Sequence, residues 1–472
     1  MADVSDIAEL RKAHDLAQSF LSTVAERPVA ARVTLTQLRE TLGGPMPDEG
    51  LPAGAVLDAL ASAASPGLVA SAGPRYFGFV IGGSHPVAVA ADWLTAAWDQ
   101  NAGVYATSPA AAVTEEVAAA WLLEMLDLPA AASVGFVTGG QMANFTCLAA
   151  ARHEVLRRAG WNVETGGLAG APPLQVIAGA EFHVTISSSL RLLGIGSGQI
   201  HTVATDAQGR IIPEALRQAL AGRPGPTILC AQAGHVDTGA FDPLSEIAPL
   251  ARQAGAWLHV DGAFGLWAAV SPARRGLLAG AREADSWSTD AHKWLNVPYD
   301  SGIAIVAHPA AHRAAMTANA AYLVKSAGDE RDPLDWTPEF SRRARAFPIY
   351  AIMRTLGRRG IAAVVDNCCE IARRIARGLQ QSPSVEILNE VVLNQVVVGL
   401  KAPAGREGDE FTRAVMRRVQ RGGVCWLAGT TRQGRIAMRI SVSNWSTTPQ
   451  DADRTAAAIL EAVQQEAKEG VA

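Results

Sequence analysis

Between about residues 91 and 310 the chain alternates short apolar runs with helical patterns, and this rhythm limits the fold more than any other feature. The runs are SVGFV, LQVIA, QIHTV, TILCA, WLHV, DSWST and GIAIV, separated mostly by amphipathic stretches. Parallel strands cannot be joined by a tight turn. A repeated strand, helix, strand order therefore predicts βαβ units and a largely parallel sheet with helices on its faces. The expected fold class is α/β.

A chain of 472 residues exceeds the roughly 250 to 300 at which one core stops growing, so more than one domain is expected. Residues 1–90 read as a helical arm: two amphipathic patterns joined by GGPMPDEGLPAG, then a turn-rich loop, YFGFVIGGSHP. Residues 91–355 form the large α/β domain, with a helix around Thr114–Leu128 ahead of the first strand. Residues 356–472 form a smaller α+β domain. The arginine-rich stretch Arg342–Ser382 reads as a long helix leading into it, VEILNEVVLNQVVVGL as a helical stretch, and RIAMRISVSNW as a strand.

Forty-one basic against forty-five acidic side chains give a net charge of −4, without the basic footprint of nucleic-acid binding. Cys147, Cys230, Cys368, Cys369 and Cys425 form neither metal-ligand spacings nor an even disulfide framework, which predicts no metal site and fits a reducing cytoplasm. The opening, MADVSDIAELRKAHDLAQSFL, lacks the basic and apolar regions of a signal peptide. The longest uncharged run, Leu128 to Ala151, is interrupted by Pro129, three glycines and Asn144, so no membrane association is expected.

Four features fall where a strand ends and the next turn begins, which is where open α/β sheets hold ligands. In VTGGQMANF, Gly139 and Gly140 follow an apolar strand and a helix starts near Gln141. Exposed N–H groups at such a start can cradle a phosphate, although many glycine-bearing turns bind nothing. In WLHVDGAFG, Asp261 closes a strand and can extend a carboxylate into a site or serve as a turn cap. In STDAHKWLNVPYDSG, Lys293 lies between two apolar strands beside His292 and Trp294. Lysine forms imines with aldehydes, whereas most loop lysines are simply solvated. In AEFHVTISSSLRLLGIG, His183 stands at a helix start, where its ring can lie against an aromatic cofactor or be structural.

Together, a phosphate cradle, a strand-end carboxylate and a lysine along one sheet describe a site for pyridoxal 5'-phosphate. The lysine anchors the aldehyde, the helix start takes the phosphate, and the aspartate keeps the pyridine nitrogen protonated. A nucleotide-binding α/β enzyme is the rival, but neither a Walker lysine motif nor GxGxxG follows the first strand.

The motifs DAHKWLNV, HVDGAFG, TGGQMANF and AGHVDTGAFDP resemble those of the group II pyridoxal-phosphate-dependent amino-acid decarboxylases, which include the glutamate and aromatic amino-acid enzymes. The likeness runs from about Gly73 to Arg345 and more faintly beyond. It implies a fold-type-I transferase fold, with Lys293 as the Schiff-base lysine, Asp261 on the pyridine nitrogen, His183 stacked on the ring and His292 near the phosphate. Gly139, Gly140 and Gln141 match the family's phosphate turn. WLTAAWDQNAGVYATSP resembles the substrate-side segment of glutamate-type members, which implies roles for Asn101 and Tyr105, and SRRARAF resembles the arginine-rich helix that includes Arg345. A homodimer with shared active sites is implied, in which Phe79 to Ser84 reaches across, with Ser84 on the substrate side.

The sequence departs from the family pattern in three respects. Many members carry a proton-delivering tyrosine in the loop before DWTPEFSRRAR; the corresponding position here is Pro333, with Tyr322 earlier, so Tyr322, His183 and water stand as proton sources. His235 and Asp237 occupy places expected to be small or uncharged, which adds an acid/base group near the ring or serves structure. Gly103 replaces a residue that is aromatic in some members. The resemblance implies decarboxylation of an L-amino acid to an amine and carbon dioxide. Aldehyde synthesis, carbon–carbon lysis and transamination on the same scaffold stay open, as does a non-catalytic homologue.

Overall fold

The structure is a computed structural model and describes residues 7–222, 225–317, 328 and 330–469. Its N-terminal segment carries three helices, Ala8–Thr23, Leu35–Leu42 and Ala53–Ala64, where the sequence pattern suggested two. The Pro/Gly-rich stretch runs into the start of the third, whose first residue, Ala53, follows Pro52. Strand β1 (Tyr76–Phe77) follows, so the stretch expected to be only loop begins as a strand.

Each of the seven predicted runs contributes a strand to one sheet: β2 (Ser133–Val137), β3 (Gln175–Gly179), β4 (Ile200–Val203), β5 (Thr227–Gln232), β6 (Trp257–Asp261), β7 (Ser286–Asp290) and β8 (Gly302–Val306). Their order is β2-β8-β7-β6-β5-β3-β4. β3 through β7 pair in parallel, whereas β8 runs antiparallel to both β2 and β7. The reversal follows from the connection, because the loop carrying Lys293 supplies no crossover helix between β7 and β8. The helix expected around Thr114–Leu128 spans Pro109–Met125, with proline in its first turn, where a missing N–H leaves nothing unpaired.

The second sheet has the order β1-β11-β12-β10-β9, with β9 (Val385–Ile387), β10 (Gln395–Leu400), β11 (Trp426–Arg432) and β12 (Arg435–Ser441). Here the sequence reading is corrected: VEILNEVVLNQVVVGL is not helical but forms β9 and β10. Stiff, β-branched valines favour the extended chain, and β10 is buried along its whole length, which explains the unbroken apolar run. Asn389 ties the turn by donating to the Gln395 carbonyl (3.0 Å) and accepting from the Val397 N–H (2.9 Å). β1 joins this sheet in parallel with β11, pairing Tyr76 with Trp426. The long arginine-rich helix covers Ala346–Leu379 and is broken at Gly357, whose φ of 59° suits glycine. Among the described residues no helix is long and apolar enough to cross a membrane.

Asp242 braces the carboxyl end of β5. Its two carboxylate oxygens accept the N–H groups of Ile211 and Gln232, each at 2.7 Å. Asn at 242 could accept only one of them and would turn an N–H toward the other, at a cost of about 1–3 kcal/mol. Burial pushes the Asp242 carboxyl up to about 7 from 3.8. A pKa raised on folding contributes stability at low pH that is lost as pH climbs through the folded value. The Asp242 contribution to stability should therefore fall between pH 3.8 and about 7, and Asp242→Asn should melt lower than the parent by a margin that narrows across that window.

Candidate active site

At the carboxyl ends of β5 and β6 lies a cavity of about 380 Å³, walled by the large sheet, by residues 79–81 and by β12 of the second sheet. Lys293, Asp261, His183 and His292 all line it. Burial lowers the Lys293 pKa, partly opposed by Asp290 and Asp261, and a more readily neutralised amine is the nucleophilic form. Its Nζ lies 5.7 Å from the Phe264 ring centre. Asp261 is placed by the end of β6, its Oδ1 accepting from the Ala263 N–H and its Oδ2 from Asn144 Nδ2, both at 3.1 Å. His183 precedes the helix Val184–Leu192, and its Nδ1 lies 2.7 Å from Thr185 Oγ1. Burial lowers the His183 pKa.

The glycine turn meets the lysine loop through Asp290. Its Oδ2 accepts the Gly140 N–H at 2.8 Å, while its Oδ1 lies 2.6 Å from His292 Nδ1. The Gly140 amide, expected to face a phosphate, is thus already committed to a carboxylate, and Gln141 projects into solvent. Gly139 and Gly140 adjoin the site without lining it. On the other side, the Gly82 N–H donates to the His292 carbonyl (3.1 Å) and the Gly83 N–H to Asn296 Oδ1 (2.6 Å). A Cβ on Gly82 would lie 1.8 Å from the Lys293 carbonyl oxygen, so alanine there must push the lysine loop aside. Gly82→Ala is expected to weaken cofactor retention by about 10-fold or more, the equivalent of 1–3 kcal/mol of overpacking, as measured by dialysis against cofactor-free buffer.

Several residues expected in the site lie elsewhere. His235 is buried but faces away from the cavity: its Nδ1 accepts from the Asp237 N–H at 3.2 Å and its Nε2 lies 3.4 Å from Glu181, so it shapes the turn while Gly234 and Val236 line the cavity. Asn101, whose Nδ2 is 3.4 Å from Ser341 Oγ, and Tyr105, whose N–H donates to Asp332 at 2.8 Å, do not line this chain's cavity. Neither does Ser84, although Phe79, Val80 and Ile81 do. Arg345 caps the long helix, 3.9 Å from both Asp300 and Glu339, outside the cavity. Pro333 is buried at the start of a short 3-10 turn, Pro333–Trp336, a packing position rather than one that presents a side chain to substrate. Tyr322 lies outside the described residues.

Among the cavity residues that escaped the sequence reading are Tyr299 and Arg439. The Tyr299 ring lies 4.2 Å from that of His292. Arg439 projects from β12, and its Nη1 lies 3.0 Å from Asp237 Oδ1. The unexpected charge of Asp237 was the available hint, since a buried carboxylate calls for a cation.

An anchoring amine of lowered pKa, a carboxylate and an imidazole around a cavity of this size suit pyridoxal phosphate. Lys293, Asp261 and His183 would hold it, with His292 toward its phosphate end. The fold and this site define a fold-type-I pyridoxal-phosphate enzyme. Residues 36–401 match the family model of the pyridoxal-dependent decarboxylase conserved domain, and the chain belongs to that family, the group II decarboxylases. Tryptophan decarboxylase 1 of Oryza sativa subsp. japonica is 28% identical over 462 residues, covering 92% of this chain and 89% of the relative. The 4-hydroxyphenylacetaldehyde synthase of Rhodiola rosea is 28% identical over 450 residues, covering 91% and 90%. The crystal structure of Oryza sativa TDC with PLP and tryptamine aligns with a TM-score of 0.91 at 26% identity, covering 98% of this chain and 99% of that one.

Proposed function

We propose that this protein decarboxylates an L-amino acid to the corresponding amine and carbon dioxide. The observation that carries the reading is the convergence of Lys293, Asp261, His183 and Arg439 on one cavity. When bound, pyridoxal phosphate supplies an electron sink for the bond that breaks at the α-carbon. Lys293 would anchor it, and Asp261, which accepts two hydrogen bonds, would face the pyridine nitrogen. Arg439 offers a substrate carboxylate the nearest cation from the second sheet. His183, drawn toward its neutral form by burial, is suited to lie on the ring and to hold or pass a proton.

A homodimer would bring Asn101, Tyr105, Ser84 and Arg345 toward the neighbouring subunit's substrate. Exposed Leu35, Leu42, Met46, Leu51 and Phe79 on the N-terminal segment support such an interface. All five cysteines are buried and unpaired, in keeping with a reducing cytoplasm.

The aldehyde synthase of Rhodiola rosea, as similar in sequence as the rice decarboxylase, supports oxidative deamination as the second reading. Incubation of the holoenzyme with a panel of L-amino acids, trapping carbon dioxide and analysing products, separates the two. Equimolar amine and carbon dioxide from one substrate supports decarboxylation; aldehyde, ammonia and peroxide select the synthase, and no carbon dioxide from any substrate sinks both.

A further inference from the structure

A single file of hydrogen bonds ends on Asp261 from the side that does not line the cavity. Trp257 Nε1 lies 2.9 Å from Ser286 Oγ, which lies 2.9 Å from His259 Nδ1. His259 Nε2 lies 2.9 Å from Asn144 Oδ1, and Asn144 Nδ2 lies 3.1 Å from Asp261 Oδ2. All five side chains are buried.

Both ends of the file fix its direction. An indole N–H can only donate and an ionised carboxylate can only accept. Asn144 must therefore turn its amide nitrogen to Asp261 and its oxygen to His259. His259 then carries its proton on Nε2, and Nδ1 is left to accept from Ser286, whose oxygen accepts from Trp257. The remaining contacts of Asn144 agree, since Oδ1 also accepts from Ser288 Oγ (2.5 Å) and Nδ2 also donates to Thr185 Oγ1 (3.1 Å). Thr185, with its oxygen so engaged, turns its own O–H to His183 Nδ1 at 2.7 Å. That leaves a neutral His183 with its proton on Nε2. Asn144 thus stands behind both Asp261 and His183.

The file carries no net charge. Burial holds His259 neutral by lowering its pKa to about 4, against the attraction of Asp261. Its dipoles nevertheless all point one way, with their positive ends toward Asp261, and aligned bonds in a buried setting reinforce one another. Held by Asn144 on one oxygen and by the Ala263 N–H on the other, the carboxylate keeps one orientation, and a negative charge fixed beside a ring nitrogen favours its protonated form.

We propose that Trp257, Ser286, His259 and Asn144 are positioning residues that fix the Asp261 carboxylate and set the protonation state of the cofactor's pyridine nitrogen. This rests on the assignment of Asp261 to that nitrogen. The test is nitrogen-15 NMR of holoenzyme reconstituted with ring-labelled pyridoxal phosphate, titrated through the neutral and mildly alkaline range alongside thermal melting. In the parent protein the ring nitrogen should stay protonated, and in Asp261→Ala it should not. Asn144→Ala and His259→Phe should release the ring proton about one pH unit earlier than the parent, a tenfold weaker hold. His259→Gln, which keeps a donor toward Asn144, should restore most of it. A change in packing alone would lower the melting temperature without moving this titration. Ring titration in Asn144→Ala and His259→Phe that matches the parent overturns the proposal. If Asp261→Ala also matches the parent, the assignment of Asp261 itself has failed. Ser286→Ala, the smallest change in the file, supplies the same readout where a larger substitution does not give folded holoenzyme.

Discussion

Lys293→Ala should remove the visible absorbance of the attached cofactor and lower turnover by on the order of 10⁴-fold, the scale of loss when one member of a catalytic unit is deleted. Among the described residues Lys293 is the one lysine lining the cavity. The contacts expected from Asp261, His183 and His292 persist in the variant, which should still bind pyridoxal phosphate, but reversibly. Stability should not suffer, because the change removes an amine that burial disfavours in its charged form. Spectra and turnover measured on one preparation decide the matter. A retained visible band, or turnover within tenfold of the parent, would remove Lys293 from its role.

Arg439→Leu should lower kcat/KM by about 30-fold to several thousand-fold, mostly through KM, the equivalent of the 2–5 kcal/mol lost when one partner of a buried charge pair is truncated. Two roles compete for this side chain. It holds Asp237 at 3.0 Å and approaches the carbonyls of Val236 and Phe79 at 3.4 Å each, which braces the second sheet against the first. It also lines the cavity and is one of the few cations there. Asp237→Asn separates the two, since it breaks the brace and leaves the guanidinium facing substrate. If binding of a substrate carboxylate is the main role, Asp237→Asn should keep KM within a few-fold while Arg439→Leu does not. Arg439→Lys should recover part of the loss, because it restores charge without the two-pronged geometry. An Arg439→Leu enzyme that melts lower but keeps its KM would confine Arg439 to the brace.

The large sheet was legible because its strands are short apolar runs set between amphipathic helices, a pattern that belongs to one architecture. What failed was the second sheet. β10 lacks the alternation that distinguishes a strand with one wet face, since it is buried on both sides, and β9 is only three residues long, too short for its alternation to register. The site divided similarly. Lys293, Asp261 and His183 sit beside strand ends or helix starts, where sequence order predicts proximity. Arg439 reaches the cavity through the packing of one sheet on another, which no local pattern encodes. His235 was misplaced because its neighbours Gly234 and Val236 line the cavity while its own ring turns back to cap backbone N–H groups. The hydrogen-bond file behind Asp261 was also invisible, because Asn144, His259 and Ser286 come together only when β6, β7 and the helix Gly140–Arg158 are packed.

The parallel pairing of Tyr76 with Trp426 has a further consequence during synthesis. At roughly 5–20 residues per second, β1 waits on the order of 20–70 s for its partner to leave the ribosome. Throughout that interval Tyr76 and Phe77, buried in the finished protein, have no sheet to join and are open to association with other nascent chains. The large sheet, whose last strand ends at Val306, can assemble earlier. The cavity cannot, because Arg439 on β12 is made more than a hundred residues after the last strand of the large sheet. Ribosome-stalled chains that stop before β12 are therefore expected to hold a folded large sheet that retains pyridoxal phosphate poorly.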